Sequence, residues 1–446
     1  MANDKDFVVN GPVAVGKDTK VTVGSIAAGT VDLSTGNYFT DSPSGDYTYT
    51  FANAGDVQSF QIEATGGSEA VAETFSTTLY DGNGATQTID NGLDLAGDGG
   101  LVWLKCRNQG SQGHFLMDSA RNSFGDRISS HDTSAKATDP LITSVSTGGF
   151  TLGNKPYSNS IGDTYVSWSF KKQAKFFDVV TYTGNGVFGR SIPHNLGCEV
   201  GSIIVKRTDA AASWYVYHRG VDATAPQDYT LVLDLTLARI NSSAPWADTA
   251  PTTTHFTVGD NSNYNASGGT YVAYLFAHDT ASDGLIQCGS YTGNSSTDGP
   301  EINLGWQPQW VMIKDTTGSQ GSWVVFDTAR GIVTSDVDPV LQANLSNAEY
   351  TGTNYLDALS NGFKLTVGGG SYGTTQDTHV NYTGHTYIYM AIRSAAAPAI
   401  TWPTNIEWTA GSTPSTPAEG ETDVFTFTTD DGGTTYTGIQ SIDNAS

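Results

Sequence analysis

Asp118 and Arg121, three residues apart, recur as Asp327 and Arg330, and each pair follows an apolar strand ending in a lysine, Lys105 or Lys314. A carboxylate, a guanidinium and an amine in one place are the means of moving protons and stabilising developing charge. A third such strand, ending at Lys206, leads to Arg219, but there the aspartate position holds His218. A reacting carboxylate would be missing from one of three equivalent places, so the expected role is a structural ion pair or loop anchor. The eight histidines show no His-x-x-x-His or His-Glu-x-x-His spacing, and His194 falls in a turn, Ile192–Gly197, equivalent to Glu301–Gly305; zinc hydrolysis is not expected. Cys106, Cys198 and Cys288 are too scattered for a disulfide framework or a zinc site and read as strand-edge thiols. No Gly-x-Ser-x-Gly elbow occurs, and Gly368-Gly-Gly-Ser371 lacks the lysine and helix of a phosphate loop. Catalytic, cofactor-binding and metal residues are therefore expected to be none, and the chain reads as non-enzymatic. Two carboxylates facing across a groove would cut a polysaccharide, but no pair stands out among so many aspartates. Asp81-Gly-Asn-Gly84 and Asp260–Asn265 offer oxygens of the kind calcium takes, although Asx-turns use the same residues. Trp246 and Tyr264 beside such loops suit either sugar stacking or a core.

The elements that would position these residues come three times in one order. Tyr80-Asp-Gly-Asn-Gly84, Tyr182-Thr-Gly-Asn-Gly186 and Tyr291-Thr-Gly-Asn294 open the copies. Turns with Leu95, Leu196 and Leu304 follow, then Val102–Lys105, Ile203–Lys206 and Val311–Lys314. Next come aromatic strands leading to Arg121, Arg219 and Arg330, strand starts at Phe150, Phe256 and Phe363, and the closers Tyr165–Phe170, Tyr271–Phe276 and Tyr387–Ile392. A period of about 100 to 110 residues exceeds that of solenoid or propeller repeats and matches a domain able to bury its own core. Aromatic and β-branched residues alternate with Ser, Thr and Asn, which predicts two-sheet antiparallel sandwiches, jelly-roll-like. The copies are placed at 71–173, 174–282 and 283–395.

Gly at 51 residues supplies turns, helix signals are nearly absent, and the fold class expected is all-β. Tyr47–Phe51 and Phe60–Ala64 read as a hairpin turning at Asn53–Asp56, and Ile400–Pro403, Ile406–Trp408 and Val424–Phe427 carry the same signal. Flanks this short do not fold alone, so residues 25–70 and 396–446 are expected to pair as one smaller, discontinuous β-sandwich with the three copies inserted in it. Residues 1–24, short strands broken by Gly, suit an arm that docks on neighbours or mediates oligomerisation. Acidic residues number 45 against 21 basic, a net charge of −24, so neither nucleic acid nor an anionic membrane is an expected partner. No apolar run approaches the ~18 residues that span a bilayer, and no secretory signal is read at the start.

Phe177–Gly186, Ile192–Gly197, Ile203–Lys206, Trp214–His218 and Tyr271–Phe276 together resemble fibre-like virion proteins of tailed bacteriophages, in particular marine phages of cyanobacteria. Gly289–Gly293, Gln309–Lys314 and Tyr387–Arg393 in the third copy, and Leu101–Lys105 in the first, follow the same pattern. In the flanks, Val31–Phe39, Thr422–Phe427 and Asp431–Tyr436 are similar to segments of phage tail-fibre proteins. The resemblance covers nearly the whole chain. It implies a structural component of the virion, assembled in the host cytoplasm, a fibre-like surface protein involved in host attachment. The alternatives are a head-decoration, head-fibre or collar protein that stabilises or ornaments the particle, and, third, a polysaccharide depolymerase. Expected partners are other virion proteins through residues 1–24, further copies of the chain in a homotrimer, and a host-surface glycan. The resemblance transfers no catalytic residue and no cofactor, and it does not identify receptor-binding residues.

Overall fold

The computed structural model describes residues 26–27, 30–41, 47–55, 58–65, 73–281, 284–318, 321–332, 337–351, 353–366, 380–394, 400–409, 411, 413–414 and 422–445. The expected N-terminal arm, 1–24, lies outside them. The chain divides into two compact units, one of residues 1–69 with 396–446 and one of residues 70–395.

In the first unit both flanks contribute to one sheet, in the order Tyr38–Asp41, Gln58–Thr65, Thr422–Thr429, Tyr436–Ala445, Ile406–Trp408. Gln58–Thr65 runs antiparallel to Thr422–Thr429, with Phe60 opposite Phe427 and Ile62 opposite Phe425. Ile400–Thr401 lies parallel to Tyr47–Thr48. The expected hairpin between Tyr47–Phe51 and Phe60–Ala64 does not form. Thr50–Ala52 instead pairs in parallel with Thr30–Asp32 in a second sheet. The reason is packing: Phe51 meets Phe60 edge-on at 5.0 Å and Tyr436 at 4.9 Å, so the two segments face each other across a core instead of sharing a ladder.

The second unit holds the three copies. In the first, the main sheet runs Arg127–Ser129, His114–Asp118, Gly100–Cys106, Thr164–Lys171, Phe75–Asp81, and the facing sheet Ile142–Ser146, Gly149–Leu152, Gln87–Asp90. The other copies repeat this order, the second adding Ile240–Asn241 to its main sheet and having only Arg190–Pro193 with His255–Val258 opposite. Ile89, Ile192 and Ile302 stand opposite Phe150, Phe256 and Phe363, one register for all three. These are antiparallel β-sandwiches. Each opening and closing strand pair up next to the lysine strand, while the lysine strand and the two after it run as a meander in the same sheet.

Burial explains why the central strands are apolar without alternation. Val102 and Leu104 face their own sandwich, with Ile89 and Phe150, whereas Leu101 and Trp103 point the other way into a cluster shared by all copies. That cluster takes Trp103 and Trp168 from the first copy, Ile204 and Tyr274 from the second, and Met312 and Met390 from the third. A sheet covered on both faces reads as a continuous apolar run. The copies thus differ from the separate domains expected at 71–173, 174–282 and 283–395. Their main sheets bury their backs against one another, and residues 70–395 form one compact unit.

Candidate functional site

Strand register makes Asp118, His218 and Asp327 equivalent, lying opposite or beside matched residues of the lysine strands. All three are buried, and each reaches the next copy. The Tyr274 hydroxyl donates to Asp118 Oδ2 at 2.7 Å. His218 Nε2 lies 3.0 Å from the Tyr389 carbonyl, and its Nδ1 accepts from Gly220 N–H at 3.1 Å. The ring is therefore the neutral Nε2–H tautomer, and burial pushes its pKa down to about 3. The Trp168 indole donates to Asp327 Oδ2 at 2.9 Å. First holds second, second holds third, third holds first: the contacts close into a ring. Trp214 Nε1 to the Ser129 carbonyl (3.0 Å) and Trp323 Nε1 to the Val232 carbonyl (3.0 Å) brace two of the seams in the opposite direction.

The arginines behind the two aspartates are anchored identically. Arg121 Nε donates to Asp118 Oδ2 at 2.7 Å and its backbone N–H to Oδ1 at 2.9 Å; for Arg330 and Asp327 the distances are 2.6 and 2.9 Å. Arg219 is not their counterpart. Counting three residues from His218 reaches Val221, and Arg219 instead pairs with Glu199 and the Cys288 carbonyl. Sequence reading aligned the three arginines by type; the register moves the middle one by two positions.

The strand-ending lysines are buried as well. Lys206 Nζ donates to the carbonyls of Arg207 and Ala212, both at 2.9 Å, and to Thr133 of the first copy at 3.2 Å. Lys314 Nζ does the same with Asp315, Gly321 and Thr236 of the second copy. Lys105 reaches the carbonyls of Cys106 and Gln112. An ammonium has three donors and no acceptor, so three carbonyls saturate it. Burial pushes all three lysines down to about 8.

The opening motif is equally structural. Tyr80, Tyr182 and Tyr291 stack on the closing tyrosines Tyr165, Tyr271 and Tyr387 at 5.0 to 5.1 Å between ring centroids. The glycine follows because backbone passes close by: a Cβ on Gly184 would lie 2.0 Å from the Ala266 carbonyl oxygen. A buried asparagine clamps each turn, Asn159, Asn265 and Asn381 accepting from the backbone N–H of Asn83, Asn185 and Asn294 at 2.8 to 2.9 Å. Sequence reading missed this clamp. The signal was there: an asparagine six residues before each closing tyrosine.

Other candidates resolve in the same way. Within Asp260–Asn265, Asn261 caps the four-residue helix Ser262–Asn265 by accepting from Asn263 N–H. Asn265 spends its amide on Gly259, Val187 and Asn185. Trp246 and Tyr264 are core residues, 1 % and 4 % exposed, and present no face to a sugar. His194 is buried in its turn and accepts from Leu196 N–H at 3.2 Å. Cys106 and Cys288 are buried thiols and Cys198 is half-buried. Among the described residues, no three His, Cys, Asp or Glu side chains converge as metal ligands would. Asp248 beside Asp228 raises the pKa of Asp228.

The chain belongs to the family described as Domain of unknown function (DUF7483), which matches residues 70–396, the span of the three-copy unit. No curated protein matches the chain.

Proposed function

We propose that this chain is a structural component of a tailed-phage virion, a fibre-like surface protein that contributes to attachment to the host. One observation carries the proposal beside the sequence resemblance. The charged groups that recur from copy to copy, Lys105, Lys206 and Lys314 with Asp118 and Asp327, are buried where the copies are held together. Triplication has multiplied a shape and its outer surface, not a reaction centre. On that outside, Ile161 is 80 % exposed and Val187 and Phe188 more than half exposed, all three on turns beside the opening motifs, and exposed apolar groups of this kind suit a contact surface. Weak contacts repeated over many chains on one particle, here in homotrimers docked through residues 1–24, gain strength through effective concentration.

The test is adsorption of particles with and without the protein to host cells. Loss of adsorption, with particle integrity retained, is the expected result. Particles that adsorb normally but break on heating would mark a decoration protein instead, and release of reducing sugar from host polysaccharide by the purified chain would mark a hydrolase.

A further inference from the structure

Both seams of the third copy contain buried histidines, whereas the seam between the first and second copies is closed by other groups. Each seam carries one equivalent backbone bond: the N–H groups of Lys136, Arg239 and Glu349 donate to the carbonyls of Thr208, Thr316 and Arg107 in the adjoining copy. Between the second and third copies, His218 donates from Nε2 to the Tyr389 carbonyl at 3.0 Å and accepts the Gly220 N–H on Nδ1 at 3.1 Å. At the same seam His278 Nδ1 accepts the Cys288 N–H at 3.1 Å. Between the third and first copies, His114 Nδ1 accepts the Trp103 indole N–H at 3.0 Å, and its ring stacks at 6.0 Å on Trp168, the residue that grips Asp327. Between the first and second, the corresponding contact is made by Asp118, Arg121 and the Tyr274 hydroxyl. His131 lies beside that seam, but its ring packs on Gly113 and Phe115 of its own copy, and Asp132 is 3.6 Å away to pair with a proton there.

A ring nitrogen that accepts an N–H has its lone pair in that bond, and a proton placed there sets two donors head to head. The bonding geometry therefore holds His114, His218 and His278 neutral. Their surroundings act in the same direction. Burial lowers the pKa of His218 to about 3, with Arg219 and His278 adding to it and the Tyr389 carbonyl opposing. Burial likewise lowers His114, joined by Lys105, His131 and Arg330 and opposed by the Gln342 backbone. Around His278, Arg219 adds to burial while Glu199 and Asp279 oppose it. A histidine in water titrates near ~6.5, so as pH falls through that value an open seam takes up protons that the closed seam refuses, and closure loses stability down to the pKa of the closed form. We infer that the third copy is the acid-released segment of the ring: protons taken up by the histidines at its two seams free it from its neighbours while the first and second copies stay joined. The inference concerns the three-copy unit alone and holds whether or not the chain serves a virion.

The test is amide hydrogen exchange by NMR on the full chain at pH 7.5 and pH 5.5, corrected for intrinsic exchange rates, with the N–H groups of Lys136, Arg239 and Glu349 reporting one seam each. A single histidine that titrates near ~6.5 when open and at about 3 when closed multiplies the opening constant ~10-fold between those two conditions. Protection at Arg239 and Glu349 should therefore fall together by more than ~10-fold, as a sub-global opening within one cooperative unit, and protection at Lys136 should hold. His218→Gln keeps a donor for the Tyr389 carbonyl and does not titrate, so it should remove ~10-fold of the fall at both reporters. The comparison of the three seams in the wild-type chain stands without that variant. An equal fall at Lys136, no fall at Arg239 and Glu349, or an undiminished fall in His218→Gln would each overturn the inference.

Discussion

A buried lysine normally needs a carboxylate beside it, yet Lys206 is held by three carbonyls, one of them from another copy. The ammonium acts as a pin at the mouth of the seam, and its titration should be visible in stability. Burial pushes Lys105, Lys206 and Lys314 down to about 8, whereas lysine in an unfolded chain titrates near ~10.4. Between those values the unfolded state binds more protons, so stability rises with pH over that window. Buried Tyr217, Tyr264 and Tyr389, pushed up to about 12, act in the opposite sense: above ~10 the unfolded tyrosines ionise first and stability falls. The urea midpoint should therefore climb from about pH 7.5 to about pH 9.5 and drop by about pH 11. Lys206→Met should flatten part of the climb and, by leaving three buried carbonyls without a donor, cost ~2 to 4 kcal/mol at neutral pH. A wild-type midpoint unchanged across the lower window would contradict the buried, depressed lysines.

At the scale of elements, each strand carrying Asp118, His218 or Asp327 ends on a side chain or carbonyl of the following copy, and the seam is what those ends make. Tyr274→Phe removes one hydroxyl, which donates to Asp118 and accepts from Arg121 Nη2 at 3.1 Å. It should cost ~1 to 3 kcal/mol. In a double-mutant cycle with Asp118→Asn, the two sites, far apart in sequence, should show coupling of ~0.5 to 3 kcal/mol; additive costs would mean that the first and second copies do not share this bond. Much of this was legible. The aspartate–arginine anchors, the order of strands along each copy and the all-β character followed from residue types and spacing. Other features were present but unread. Runs such as Leu101-Val-Trp-Leu104 and Ile203-Ile-Val205 lack the alternation of a half-exposed strand, which is how burial on both faces appears in sequence. The clamp asparagines sit far from the turns they hold, and the bond joining them is set by tertiary structure. Arg219 was misplaced because likeness of residue type stood in for register, which only pairing reveals. Strand pairing in the flanks was mistaken for a hairpin because two alternating segments near each other in sequence had no visible reason to belong to different sheets.

At the scale of the whole molecule, closure changes what three copies mean. An open array needs capping repeats at its ends because terminal units expose a face meant for a neighbour. Here the third copy reaches the first through Trp168 on Asp327 and Arg107 on Glu349, so no copy is terminal and none is self-sufficient. A lone second copy, residues 174–282, would expose the side of its main sheet that carries Ile204, Val216 and Tyr274, all buried in the shared cluster, an apolar face larger than a soluble monomer of that size tolerates. Residues 70–395 alone should melt in a single calorimetric transition whose van't Hoff and calorimetric enthalpies agree, as one cooperative unit requires. The 174–282 fragment should show no cooperative transition and should aggregate. Removing residues 396–446 from the full chain takes away Thr422–Thr429, the strand between Gln58–Thr65 and Tyr436–Ala445, and should abolish the transition of the first unit while leaving that of residues 70–395 in place. If 174–282 melted cooperatively at a temperature near that of residues 70–395, each copy would carry its own stability, and the shared core would be a contact between finished domains instead of the condition for their folding.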